Sequence, residues 1–237
     1  MKKILAGLMA AAVFSGVAMA QDGTATSANA VGFIQVSFAN AGDLKPLVMP
    51  FDLLGSEVTE GVKFSETQLA KDLPLDSEVY FWEGAWLPSS KDEDEDEDEG
   101  YSWSGKARSK VLAYGEMFFV KPSEPCAVTL AGEVPSAPAT RVLLGKESYD
   151  AVGFSYPAPV KFSETQLAKD CPIDTEVYFW EGSWLPSSKD EDEDEDEGYS
   201  WSGKARSKML EPGEGFFVKF PGEAPEAWEQ SKPYDWP

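Results

Sequence analysis

The chain contains no histidine, and only two cysteines in 237 residues. The first absence excludes Ser-His-Asp and Cys-His nucleophilic catalysis and any zinc site that relies on imidazole. The two thiols are too few and too far apart for a structural zinc. Glycine-rich phosphate loops and dinucleotide fingerprints are also missing. Bases are scarce: 20 Lys and Arg stand against 42 Asp and Glu, for a net charge of −22. A chain of that sign repels nucleic acid, whose binding rests on Lys and Arg neutralising phosphates. Past the N-terminus no apolar run approaches the roughly 20 residues that span a bilayer.

What is present begins with an N-terminal export pattern. Lys2 and Lys3 precede a nearly unbroken apolar stretch over 4–17, and Ala18-Met19-Ala20 fits a small-x-small cleavage site. Together they predict a signal peptide over residues 1–20. The expected mature chain starts at Gln21 and is exported to the periplasm, the cell surface or the medium, with no membrane span after cleavage. Export permits a disulfide between Cys126 and Cys171. Two free thiols, one buried, is the other reading, since Cys171 occupies the place of Leu73 in the repeat described next.

Residues 62–121 match residues 160–219 at a constant offset of 98, with 52 of 60 positions identical. The eight differences behave like changes in a folded module. Leu73/Cys171, Leu75/Ile173 and Val111/Met209 keep an apolar group; Ser77/Thr175 and Ala85/Ser183 are small exchanges. Ala113-Tyr114 becomes Glu211-Pro212 before a glycine, which is turn chemistry. The chain is therefore a tandem duplication.

Each copy holds eight consecutive carboxylates, at 92–99 and 190–197. These two runs account for 16 of the 42 acids; the rest of the chain has 26 acids against 20 bases, a balance of −6. The charge is thus local to two short segments, and 42% apolar residues with 14 Phe, 8 Tyr and 8 Trp supply ample core material.

Within one copy, Ser65 with Gln68 and Phe64 with Leu69 predict a capped helix start, kept to one or two turns by Pro74. Val79, Tyr80, Phe81 and Trp82 form a strand apolar on both faces, hence central, turning at Glu83-Gly84 into Trp86-Leu87. Tyr101, Ser102 and Trp103 resume β character after the acids, so the acidic run reads as the loop of a longer hairpin. A last strand follows at 116–121, with its twin at 213–219. Lys106, Arg108 and Lys110, and their twins Lys204, Arg206 and Lys208, are spaced by two, and a strand would place each set on one face.

The ends differ. The first copy has a strand over 126–134, the second shows no counterpart of 127–134, and Ala30-Val31-Gly32-Phe33 recurs as Ala151-Val152-Gly153-Phe154. The second sheet is then incomplete, completed by the N-terminal strand, or open to self-association by edge addition.

The Ala-Val-Gly-Phe motif, Tyr80-Phe81-Trp82, Gly213-Glu214-Gly215-Phe216-Phe217-Val218-Lys219 and Gly132-Glu133-Val134-Pro135 together resemble tandem aromatic-rich β-repeat modules. Such modules occur in secreted proteins of Verrucomicrobia, Kiritimatiellae and Lentisphaerae-type bacteria. The resemblance spans about residues 28–220 and implies an exported β-repeat protein. It brings no catalytic residues or cofactor, and the acidic insertion departs from it.

The acidic runs admit three readings. They are solvated loops, or weak multi-ion sites for a divalent cation such as Ca²⁺ through Asp92, Asp94, Asp96 and Asp98 with Asp190, Asp192, Asp194 and Asp196, or partners of the basic sets. Trp82, Trp86 and Trp103 with Trp180, Trp184 and Trp201 are either core or flat platforms for a polysaccharide. Glu83, Glu116, Glu181 and Glu214 lie near aromatics, but nothing in the sequence sets two carboxylates at a catalytic separation. The expectation is an all-β fold of two tandem small β-sandwich-like modules, each with one short helix and an acidic hairpin loop. The first module covers 21–138 and the second 139–237. Its expected role is a non-enzymatic surface or matrix protein, without cofactor, that meets divalent cations or basic surfaces, with carbohydrate binding as the alternative.

Overall fold

The computed structural model describes residues 31–50, 62–113, 115–135, 139–145 and 149–234. The predicted signal peptide, Ala30, Tyr114 and linker residues 136–138 lie outside the described residues.

The first module runs through β1 (Val31–Phe38), β2 (Lys45–Val48), β3 (Val62–Lys63), α1 (Gln68–Asp72), β4 (Glu78–Trp82), β5 (Trp86–Glu93), β6 (Tyr101–Trp103), β7 (Val111–Leu112), β8 (Met117–Lys121) and β9 (Cys126–Glu133). The second runs through β10 (Ala139–Leu143), β11 (Asp150–Gly153), β12 (Val160–Lys161), α2 (Gln166–Asp170), β13 (Glu176–Trp180), β14 (Trp184–Glu191), β15 (Tyr199–Trp201), β16 (Met209–Leu210), β17 (Gly215–Lys219) and β18 (Ala227–Ser231). The fold is all-β, two sandwich-like modules in tandem.

Each module is built on a five-stranded antiparallel sheet, in the order β2-β8-β4-β5-β6 and β11-β17-β13-β14-β15. The doubly apolar strand sits at the centre, as its two faces require. Val79 and Phe81 point into the module core with Phe118 and Val120, where the ring of Phe64 meets Phe81 at 5.4 Å, Trp103 at 5.0 Å and Phe118 at 5.7 Å. Phe162 repeats this against Phe179, Trp201 and Phe216. A two-stranded ribbon, β1 with β9, and the short helix contribute to the same core, where Phe38, Val128, Leu130 and Leu69 are buried.

The cap of that helix differs from expectation. Phe64–Glu66 is a 3-10 turn, and Thr67, not Ser65, is the N-cap: its Oγ1 accepts from Ala70 N at 3.1 Å and donates to Phe64 O at 2.7 Å. The tighter turn moves the capping position two residues on.

The second module is also complete. β18 pairs with β10 as β9 pairs with β1, so Ala227–Ser231 supplies the strand that sequence comparison could not find. The edge invoked for self-association is therefore filled within the chain. Gln230 fixes this strand: its Oε1 accepts from Ser155 N at 2.7 Å and its Nε2 donates to Gly153 O at 2.9 Å. The recurring Ala-Val-Gly-Phe motif is not a structural equivalence. Val31-Gly32-Phe33 lies on the ribbon strand β1, whereas Ala151-Val152-Gly153 lies on β11, in the place of Pro46-Leu47-Val48.

The outward faces of the two five-stranded sheets pack on each other across an approximate twofold axis. Phe119 contacts Trp180 and Trp184 of the second module at 5.3 and 5.7 Å; Phe217 contacts Trp82 and Trp86 of the first at 5.2 and 5.7 Å. Hydrogen bonds obey the same reciprocity. Trp82 Nε1 donates to Tyr149 O and Trp180 Nε1 to Leu44 O, both at 2.9 Å. Val48 N donates to Gly213 O and Gly153 N to Gly115 O, again both at 2.9 Å.

Candidate functional site

The acidic run is a hairpin tip, as its flanking strands suggested. Asp92 and Glu93 still belong to β5, opposite Ser102 and Tyr101, and the chain turns over 94–100. Asp94 N donates to Gly100 O at 3.1 Å, Glu97 N to Asp94 O at 3.3 Å, and Asp96 N to the Asp94 carboxylate at 3.2 Å. Gly100 closes the turn at φ 73°, a conformation for which glycine is the natural choice. The second tip repeats each of these bonds over 192–198. Most of the acids are exposed.

Beneath each tip lies a buried lysine, the group that sequence reading missed. Lys91 and Lys189 are 3% exposed. Lys91 Nζ donates to the carbonyls of Ala70, Lys71 and Leu73 at 3.1, 3.0 and 2.6 Å, and lies 3.8 Å from the centre of the Tyr101 ring. It therefore satisfies the C-terminal carbonyls of α1 that no helical N–H reaches, and its charge favours that end of the helix dipole. Lys189 donates to Lys169 O and Cys171 O at 2.6 and 2.8 Å, with its ammonium 3.9 Å from the Tyr199 ring centre. The readable signal was parity: Ser89 and Lys91 are two apart on one strand, and both face inward.

Burial pulls the Lys91 ammonium below its ordinary pKa, while Glu99 and Asp72 push the other way. Burial first, and the neighbouring Glu99 carboxylate second, push the Tyr101 phenol up to about 12. Tyr199 is raised in the same way, by burial and then Glu197. The last acid of each run thus lies beside the tyrosine of the layer below it.

The basic sets do not form a comb. Gly105–Arg108 is a 3-10 turn, so alternation along a strand does not apply. Lys106 pairs with Glu83 at 2.7 Å, Lys204 with Glu181 at 2.9 Å, Lys110 with Glu116, and Lys208 with Glu214 at 2.5 Å. The four glutamates weighed as catalytic carboxylates are therefore lysine partners. Among the described residues, the ion pairs of the two acidic runs are Lys71 with Glu99 and Arg206 with Glu195, both at 3.8 Å.

No three or more Asp, Glu or Cys side chains converge as a metal-holding group among the described residues. Asp92, Asp94, Asp96 and Asp98, and their twins, are accordingly strung along the strand end and turn. The tryptophans divide into two sets. Trp103 and Trp201, 4% and 5% exposed, are core residues and not platforms. Trp82, Trp86, Trp180 and Trp184 are half-buried and stack against the opposite module. Cys126 and Cys171 are free thiols, the first on β9 and the second at the C-cap of α2 in the other module, so the candidate disulfide is not formed. Among the described residues no helix is long and apolar enough to cross a membrane.

Compared with models of known families, with curated proteins and with solved structures, the chain matches none of them.

Proposed function

We propose that this is an exported, non-enzymatic β-repeat protein of the cell surface or matrix whose two acidic hairpin tips engage cationic partners. One observation carries the reading: each tip projects a run of carboxylates, most of them exposed, with one ion pair per run among the described residues. Such a run acts through summed charge, which raises encounter rates with a basic surface and weakens with salt. Divalent cations join as loosely held counterions in the range of about 10⁻⁴ to 10⁻³ M, in keeping with the lack of a converging acidic group among the described residues.

The test uses the full chain and poly-lysine immobilised on a sensor. Binding at low ionic strength falls steeply with added salt, is reduced by millimolar Ca²⁺, and disappears when both runs are neutralised to Asn and Gln. Retained binding by the neutralised variant would refute the reading. Export is tested separately, by the N-terminal sequence of the secreted product, which should begin at Gln21.

A further inference from the structure

The two aromatic faces are not interchangeable where they meet on the axis. Seven of the eight differences between the copies are conservative or lie in turns; the eighth is Met117 against Gly215. These two residues face each other across the interface. A Cβ placed on Gly215 would overlap the side chain of Met117, falling 2.7 Å from its Sδ. The neighbouring pair behaves alike. Val48 is opposite Met117 on β2 and Gly153 opposite Gly215 on β11, and a Cβ on Gly153 would overlap the Val48 side chain and lie 2.6 Å from Glu214 O. Met117 and Val48 are fully buried.

A positive φ does not account for these two glycines. Gly115 and Gly213, at the entries to the same strands, have φ of 63° and 83° and are dictated by conformation, whereas Gly153 and Gly215 are not among the positive-φ glycines. Gly215 provides space for the Met117 side chain that projects from the other module, and Gly153 provides it for Val48 while also clearing the Glu214 carbonyl of its own module.

We propose that Val48 and Met117 form a knob, and Gly153 and Gly215 a hole, that select unlike modules. The first module's aromatic face takes as its partner a face with glycine at both places, which is the second module of the same chain. Pairing two first modules would set Met on Met and Val on Val, an overpacked contact. Pairing two second modules would leave a void beside Phe217, whose lining loses its contacts. The duplicated chain thereby closes on itself and does not associate through identical faces with other copies, an instance of specificity by exclusion of the wrong partner.

The test is an exchange in the full chain. Gly215→Met sets knob on knob and Met117→Gly sets hole on hole; each lowers Tm by about 5–10 °C. The double exchange M117G/G215M carries the knob to the other side of the axis. It should regain at least half of the summed loss and remain monomeric by light scattering. A double variant as unstable as the two single losses added together overturns the proposal, as does a Gly215→Met chain that melts like the parent. If a single variant does not fold, the double decides alone: melting within about 10 °C of the parent supports the knob and hole, and failure to fold overturns them.

Discussion

The two modules hold their buried lysines differently, although the residues around them are almost the same. In the first, Lys91 has three carbonyl acceptors and Trp103 Nε1 has none. In the second, Lys189 has two, and the carbonyl of Ala168, twin of Ala70, instead accepts from Trp201 Nε1 at 3.3 Å and from Cys171 Sγ at 3.7 Å. The nearby sequence differences are Cys171 for Leu73 and Thr175 for Ser77. The comparison shows how a duplicated site can redistribute buried hydrogen bonds while keeping its lysine, since a buried carbonyl needs a donor and not a particular one.

The largest expected effect probes the equivalence of the modules at their shared face. Phe119→Ala and Phe217→Ala should each cost about 3–5 kcal/mol in urea unfolding. The two values should agree within about 1 kcal/mol, and a wider gap breaks the pseudo-symmetry. Next come the lysines. Lys91→Met orphans three carbonyls and should cost about 3 kcal/mol, Lys189→Met about 2 kcal/mol; the order, read from urea midpoints, is the test. Gln230→Ala should cost about 1–2 kcal/mol by stranding Ser155 N and Gly153 O. Amide exchange should then quicken over Ala227–Ser231 and leave β9 of the first module unchanged.

The smallest effect concerns pH. Lys121, followed by Tyr80, holds Glu78 below its ordinary value of 4.5, whereas Tyr178, followed by Lys219, does so for Glu176. A carboxyl depressed in the folded state stabilises above its unfolded pKa, and that contribution is lost as pH falls through the folded value. Both pairs are well exposed, so the loss below about pH 4.5 is modest. Carboxyl titration by NMR sharpens the comparison: Lys121→Met should release Glu78 more than Lys219→Met releases Glu176.

Much of the local fold was legible from the sequence because it depends on short-range signals. The repeat, the central strand with Val79 and Phe81 on one face and Tyr80 and Trp82 on the other, and the acidic hairpin all follow from alternation and turn residues. What escaped depends on partners far along the chain. The strand that holds Trp228 and Gln230 escaped because its partner lies about 90 residues earlier, in β10. Trp82 reads as core or platform alike until the opposite module is in place. Lys91 directly precedes the acidic run in sequence, yet three helix carbonyls make its burial tolerable. The lysine and arginine comb failed for a local reason, since Gly105 at φ 57° starts a turn where alternation assumed a strand.

The clamp between the modules has a consequence for anything that meets the tips. Two flexibly linked hairpins would each be found by a partner at a concentration set by the tether. Here the sheets beneath them are packed on each other through Phe119 and Phe217, so the two hairpins rise from one joined base. On the proposed reading, a partner with two basic patches that can reach both tips would gain avidity from the second contact. On that reading the interface would set which partners can bridge both tips.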